Sequence, residues 1–143
     1  MKKVTFLDII LVLFAVLFVY AALSKLLVYD EFQAQIAKSP IITKQGWWIA
    51  WTVPSIELIL AVLLFIPRYQ LLGMYGAFSL MFVFSLYIGF MIAFSPSLPC
   101  SCGGILSAMG WTEHLIFNIA FTCLAILGIV LINRRQKMAT LAM

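Results

Sequence analysis

Four long apolar runs, separated by short polar or proline-rich segments, dominate this chain. They cover about residues 5–28, 47–66, 71–94 and 113–132. An α-helix needs about 20 mostly apolar residues to cross the hydrocarbon core of a bilayer. The pattern therefore predicts an all-α, polytopic membrane protein, a bundle of four transmembrane helices that forms a single membrane domain over residues 1–143.

The first apolar run follows two lysines and in this respect resembles a secretory signal peptide. The hydrophobic part of a signal peptide has about 7 to 15 residues, whereas the run from Val4 to Val28 is much longer. We therefore expect this segment to be retained as the first span.

The segment between the first two runs is polar, yet it contains Phe32 and Ile36, four residues apart. This spacing places both side chains on one face of a helix and predicts a short amphipathic helix on the membrane surface, ended by Pro40. A solvated loop is the alternative, because isolated short helices are marginally stable. In both cases the segment lies outside the bilayer.

Composition supports the membrane assignment and excludes a nucleic-acid partner. Charged residues make up only 10% of the chain, against about 25% in a typical soluble domain. The formal net charge is +4, but the basic residues are thinly spread and mostly flank apolar runs. That placement is typical of membrane topology rather than of a nucleic-acid surface.

The distribution of lysine and arginine predicts the orientation. One side of the membrane carries six of these residues and the other carries three. The larger set, on the side of the termini, is Lys2, Lys3, Arg68, Arg134, Arg135 and Lys137. The smaller set, on the opposite side, is Lys25, Lys38 and Lys44. Since positive residues concentrate in the cytoplasm, both termini are expected there, with the loop at residues 95–112 outside. In the inner membrane of a bacterium that loop faces the oxidising periplasm.

Reactive side chains are concentrated in this loop, where Pro99 precedes Cys100, Ser101, Cys102 and two glycines. A disulfide between residues two apart closes a small, strained ring that is easily reduced and contributes little as a cross-link. The pair therefore favours thiol chemistry at Cys100 and Cys102. An incidental loop feature or a non-catalytic disulfide is the alternative.

The fourth run begins with His114, and Asn118 and Thr122 follow at intervals of four residues. This spacing gives one helix a polar stripe that descends from the cysteine loop into the membrane. His114 can stabilise a thiolate or carry its proton. Alternatively, His114 is an interfacial side chain and Asn118 an interhelical packing contact.

Glu57 lies about ten residues inside the second run, where an ionised carboxylate is costly. We expect it to be protonated, hydrogen-bonded or paired, with Lys25, Ser24 and Tyr20 of the first run as candidate partners. The functional interpretation is that Glu57 is a proton site or part of a quinone pocket. The alternative is that it makes a structural contact between helices.

Two further cysteine-based possibilities carry less weight. Cys100, Cys102 and His114 offer three soft ligands for copper(I) or zinc, but no convincing fourth ligand accompanies them, so no metal is expected. Cys123 lies within the fourth run and is expected to be an inert apolar side chain.

The order of these features resembles the MauE branch of the MauE/DoxX family of redox-associated membrane proteins over nearly the whole chain. The residues that carry the resemblance are the segment 22–26, Phe32 to Pro40, Glu57 and Leu58, the segment 99–104 and the segment 111–118. The resemblance implies a four-helix bundle similar to DsbB and vitamin K epoxide reductase, and a role in making disulfides in exported proteins.

By the same resemblance, electrons pass from a thioredoxin-like partner to a quinone, and Trp111, His114 and Asn118 border that quinone. DsbB-like enzymes use two cysteine pairs, whereas this chain has one pair with a single intervening residue. Cys100 and Cys102 must then exchange directly with the thioredoxin-like or exported partner.

Two functional hypotheses follow from the sequence. The first is a periplasm-facing thiol/disulfide oxidoreductase that acts through Cys100, Cys102 and His114. The second is a non-catalytic subunit or assembly factor of a larger membrane complex, favoured by the missing second cysteine pair and by the lack of a predicted soluble domain.

Overall fold

Helices account for nearly all of the chain that the computed structural model describes, namely residues 5–37, 46–94 and 110–143. The helices are α1 (Phe6–Leu27), α2 (Tyr29–Ala37), α3 (Gly46–Phe65), α4 (Gln70–Phe94) and α5 (Trp111–Leu141), with a short 3₁₀ helix at Pro67–Tyr69. All except α2 and the 3₁₀ helix are long and apolar enough to cross a membrane. The predicted fold class, an all-α polytopic membrane protein, is confirmed.

The four long helices pack in the order α1, α3, α4, α5, and α5 returns to α1. The closest pairs are α1 with α3 and α4 with α5. Phe14 of α1 is fully buried and contacts the ring of Phe121 of α5 edge-on, with 5.3 Å between the centroids. Because side chains of all four helices fill one apolar core, the bundle is a single packing unit in the described residues.

The outer surface of the bundle is apolar as well. Ile9, Val16, Ile59 and Val83 each expose more than half of their side-chain surface. A soluble protein rarely exposes so continuous an apolar surface, whereas lipid chains solvate it without cost. The exposed residues are therefore the lipid-facing side of a multi-pass membrane protein.

The start of α1 is fixed by Thr5 and Asp8. The Thr5 backbone N–H donates to Asp8 Oδ2 at 2.9 Å, and the Asp8 N–H donates to Thr5 Oγ1 at 3.4 Å. Arg135 of α5 donates from Nη2 to Thr5 Oγ1 at 2.7 Å and to Asp8 Oδ1 at 3.1 Å. Helix α5 continues past Ile132, the predicted end of the fourth span, and this continuation holds the beginning of α1.

The helix predicted from Phe32 and Ile36 exists as α2, but its apolar face does not face lipid. Both side chains are buried and pack with Ala50 of α3, and the Tyr29 ring lies 5.3 Å from that of Trp51. Helix α2 therefore covers the beginning of α3. We call this end of the bundle the α2 end; the end of α4 and the beginning of α5 lie there too.

Two glycines of α4 provide a matched test of the packing. A Cβ built on Gly76 collides with Cδ2 of the buried Leu60 on α3, whereas a Cβ on Gly89 meets no atom within 4 Å. Alanine in place of glycine favours a helix by about 1 kcal/mol, and overpacking costs about 1 to 3 kcal/mol. We expect Gly76→Ala to be less stable than Gly89→Ala, because only in the first variant must the Leu60 side chain move aside, whereas Gly89→Ala should equal or exceed wild type.

Unfolding of both variants in mixed micelles measures this difference. If Gly76→Ala matches Gly89→Ala, then α3 and α4 do not approach each other as closely as described.

Candidate functional site

A buried ion pair joins the first and second spans at the α2 end. Lys25, in the last turn of α1, donates from Nζ to Oε1 of Glu57 in the middle of α3, at a distance of 2.6 Å. The Lys25 side chain is 15% exposed and that of Glu57 is 1% exposed. Lys25, one of the three partners considered for Glu57 from the sequence, pairs with it in the structure.

The depth of Glu57 makes this pair more than a surface contact. Glu57 follows the first residue of α3 by 11 positions (57 − 46), which at 1.5 Å per residue is about 16 Å along the helix. Two charges in such surroundings lose their hydration, and their attraction offsets that loss only with good geometry. The short contact to Lys25 provides part of this compensation.

Aromatic rings surround the Lys25 ammonium. Its Nζ lies 5.5 Å from the centroid of the Phe84 ring on α4 and 6.0 Å from that of the Phe32 ring on α2. Ring faces at this range attract a cation. Lys25 thus belongs to α1 and contacts α2, α3 and α4, a convergence that the linear sequence does not show.

The pair does not satisfy all the polar atoms at this depth. Glu57 Oε2 is buried and has no hydrogen-bond partner among the described residues. The same holds, within the described part of the chain, for Nδ2 of Asn118 on α5, whose side chain is 3% exposed. A buried polar atom without a partner costs about 1 to 3 kcal/mol, so these two atoms need an explanation.

The predicted polar stripe of α5 is only partly directed to other helices. His114 is half-buried in the first turn, and Asn118 is buried one turn below it. Thr122, by contrast, donates its hydroxyl to the backbone carbonyl of Asn118 at 2.7 Å, within the same helix. The stripe that enters the bundle therefore consists of His114 and Asn118.

Local hydrogen bonds position the beginning of this helix. The Gly110 N–H donates to Glu113 Oε2 at 3.1 Å, and the His114 N–H donates to the Gly110 carbonyl at 2.9 Å. Glu113 therefore stabilises the helix start. His114 is the next residue of the helix.

Lys25, Glu57 and the rings of Phe32 and Phe84 that face the Lys25 ammonium form one contacting group, which we call the polar layer.

The cysteine motif itself lies outside the described residues. Cys100 and Cys102 fall between Phe94, the last residue of α4, and Gly110, the residue before α5. Both connections are at the α2 end, above the polar layer. The thiol chemistry predicted for the pair, and the metal site weighed for it with His114, therefore stay predictions.

The other residues weighed from the sequence are placed by the fold. Trp111 is the half-buried first residue of α5, one turn from His114. Cys123 is exposed on the outer surface of the bundle and belongs to no pair in the described chain. The quinone contact assigned to Trp111, His114 and Asn118 stays a prediction.

An apolar groove between α4 and α5 was not foreseen. It has a volume of about 510 Å³ and is open toward the lipid. Its lining runs from Phe94 and Leu115 near the α2 end to Thr122 and Cys123, and Gly89 forms part of its floor. Its signal in the sequence is the glycine at position 89, which is surrounded by large residues and therefore leaves a gap.

Comparison with known proteins gives one match. The model of the family described as methylamine utilisation protein MauE matches residues 3–131, most of the chain. Comparisons with curated proteins and with solved structures find no match.

Proposed function

This chain belongs to the MauE family, and from that membership we propose that it is a thiol/disulfide redox protein acting through Cys100 and Cys102. The observation that carries the proposal is the motif itself, two cysteines with one residue between them and two glycines after them, in a protein otherwise built of membrane helices. A disulfide in so short a ring is strained and readily exchanged.

The exchange proceeds in two balanced steps. A thiolate of the partner attacks one sulfur of the Cys100–Cys102 disulfide and forms a mixed disulfide, while the other cysteine leaves as a thiolate. The partner's second thiolate then attacks the mixed disulfide and releases the remaining cysteine. The partner loses two electrons and becomes a disulfide, and the pair gains them as a dithiol; the same steps run in reverse when the partner is the oxidant.

His114 supports this chemistry from the beginning of α5. It is the only histidine in the chain and lies one residue after Glu113, at the helix start that adjoins the cysteine loop. A thiol needs a group that accepts its proton, and imidazole does so near neutral pH. We assign His114 the role of proton acceptor for the leaving or attacking thiol.

A quinone is the electron acceptor that suits the membrane setting. The groove between α4 and α5 is apolar and begins at Phe94 and Leu115, near the α2 end and next to the cysteine loop. An isoprenoid tail fits such a lining, and Trp111, His114 and Asn118 are the nearby side chains that would border the head group. When bound there, a quinone would supply an acceptor for the two electrons and two protons that the dithiol loses as it returns to the disulfide.

We propose the bacterial inner membrane as the site of action, with both termini in the cytoplasm and the cysteine loop in the periplasm. The support is the distribution of basic residues, six on the terminal side and three on the loop side. In that orientation the thiols meet exported proteins or a thioredoxin-like partner in an oxidising compartment.

Trapping of a mixed disulfide tests the proposal. We expect Cys100→Ser or Cys102→Ser to leave one thiol that captures a partner covalently, so that a reducible complex purifies from membranes. Cys123→Ser is the matched control and is expected to capture nothing beyond wild type, since Cys123 lies on the lipid-facing surface.

A non-catalytic subunit is the alternative function. The observation that favours it is the exposed continuation of α5 beyond Ile132, which presents Arg134, Lys137 and Met138 outside the apolar bundle. A complex of fixed stoichiometry that forms equally well with both serine variants, without a reducible bond, would support this alternative against the redox proposal.

A further inference from the structure

Helix α5 is longer than a membrane span. It has 31 residues, from Trp111 to Leu141, and at 1.5 Å per residue it extends for about 46 Å, whereas the hydrocarbon core of a bilayer is about 30 Å thick. Ile132 is the last buried residue of this helix, and every residue after it is exposed. Residues 133–141 therefore lie beyond the hydrocarbon core, at the end of the bundle opposite the α2 end. We call this continuation the α5 extension.

The α5 extension is basic and is anchored to the bundle. It carries Arg134, Arg135 and Lys137, and residues 133–143 include no aspartate or glutamate. Arg135 donates to Asp8 of α1 at 3.1 Å, so its charge is paired. Among the described residues, neither Arg134 nor Lys137 forms an ion pair. Two exposed cations are thus held in place on a helix that Arg135 ties to α1.

Arg134 and Lys137 lie on the same face of the extension, because residues three apart on a helix are neighbours with Cβ atoms about 5 to 6 Å from each other. Two like charges at this spacing repel and destabilise a helix. An anion bound between them relieves that repulsion. A phosphate group suits both side chains, since the guanidinium and the ammonium each donate hydrogen bonds to its oxygens.

The depth of the two charges identifies the source of the phosphate. Arg134 is two residues beyond Ile132 and Lys137 is five beyond it, which at 1.5 Å per residue is about 3 and 8 Å along the helix. The headgroup region extends about 5 to 8 Å beyond the hydrocarbon core on each side of a bilayer. Both charges therefore lie at the level of the lipid headgroups.

We propose that Arg134 and Lys137 bind the phosphate of an anionic phospholipid, in the leaflet at the end of the bundle where α1 begins and α5 ends. A zwitterionic lipid such as phosphatidylcholine fits less well, because its own cation lies beside the phosphate and is repelled by the two side chains. This site does not depend on the thiol chemistry proposed for Cys100 and Cys102, and either can fail without the other.

Native mass spectrometry of the full chain in detergent, titrated separately with phosphatidylglycerol and phosphatidylcholine, tests the proposal. We expect wild type to bind its first phosphatidylglycerol at least about tenfold more tightly than phosphatidylcholine. Arg134→Gln should weaken the binding of phosphatidylglycerol by about fivefold, the usual contribution of one basic residue at an anionic surface. The double variant Arg134→Gln/Lys137→Gln should bind the two lipids alike.

Arg68→Gln is the matched control. It removes an arginine from the same end of the bundle, at the exposed turn Pro67–Tyr69, where the guanidinium lies 5.9 Å from the Tyr69 ring and no other basic residue accompanies it. We expect it to weaken the binding of phosphatidylglycerol by less than about twofold. All the substituted residues are exposed, so each variant should keep the helical content of wild type, as measured by circular dichroism.

Equal binding of the two lipids by wild type overturns the proposal. A loss in Arg68→Gln as large as that in Arg134→Gln also overturns it, because the lipid would then respond to the charge of the whole end and not to the α5 extension. A protein subunit that occupies this face in place of lipid, and that dissociates from the double variant, overturns it in favour of a protein partner.

Discussion

Lys25→Met is expected to destabilise the bundle by about 3 to 5 kcal/mol, the largest effect of any single substitution at the polar layer. The substitution keeps the length and apolar stem of the side chain but removes the cation that lies 2.6 Å from Glu57 Oε1. It leaves a carboxylate that is 1% exposed without its charge partner. Unfolding in mixed micelles, followed by circular dichroism, measures the loss.

The two partners are not equivalent, and this asymmetry distinguishes the buried pair from a generic packing defect. Glu57→Leu should cost less than Lys25→Met, because Lys25 is 15% exposed and its ammonium can extend toward solvent at the α2 end. The double variant should recover most of the loss, since replacing both charges of a buried pair by apolar groups is often neutral.

Lys137→Met serves as the control for removing a lysine as such, since Lys137 is exposed on the continuation of α5. It should change stability by less than about 1 kcal/mol, as substitutions of exposed charges usually do. A loss at Lys25 no larger than at Lys137 would contradict the pairing seen between α1 and α3.

The second large effect concerns activity. Cys100→Ser and Cys102→Ser are each expected to abolish disulfide exchange with a thioredoxin-like or exported protein, because neither hydroxyl can form the disulfide that stores the electron pair. The rate of oxidation or reduction of the partner's thiols, with the variant protein in lipid vesicles, measures this loss. His114→Gln should slow the exchange without abolishing it, since the thiols remain and only the proton acceptor is lost.

Cys123→Ser is the matched control here as well, since it removes the remaining cysteine of the chain from the lipid-facing surface of α5. Its exchange rate should equal that of wild type. Full activity in both loop variants would contradict a role for the pair.

Much of the fold is predictable from the sequence because apolar runs of about 20 residues have few structural solutions in a membrane. Helix α2 was predicted from the spacing of Phe32 and Ile36, but its contact with Ala50 was not. Whether the apolar face of a helix packs against protein or against lipid depends on the neighbouring helices. The periodicity of one segment carries no information about those neighbours.

The polar layer, too, was predictable from the sequence only in part. The depth of Glu57 within an apolar run required a partner, and Lys25 was among the candidates. The rings of Phe32 and Phe84 around Lys25 were not foreseen. In a span that is apolar on all sides, the sequence gives no sign of which side faces inward, so contacts between distant helices depend on rotation and register that only the packed bundle defines.

The proposed thiol site depends on the motif more than on the fold. Cys100 and Cys102 were identified by their spacing and by the glycines after them, and the helices locate the two points where their loop joins the bundle, Phe94 and Gly110. His114 was identified because it begins the next span. The groove beside Gly89 was not foreseen. It forms because glycine has no side chain and its neighbours are large, and this gap becomes a groove only where α4 packs against α5.

The redox state of the pair in its own membrane tests the central claim most directly. Membranes containing the Cys123→Ser variant are quenched with acid, and free thiols are alkylated before and after chemical reduction and counted by mass. We expect no label on Cys100 and Cys102 before reduction and two labels after it. We further expect the two labels to appear without chemical reductant when a reduced thioredoxin-like partner is supplied. Two freely labelled thiols before reduction, or a disulfide that the partner leaves intact, would contradict the account.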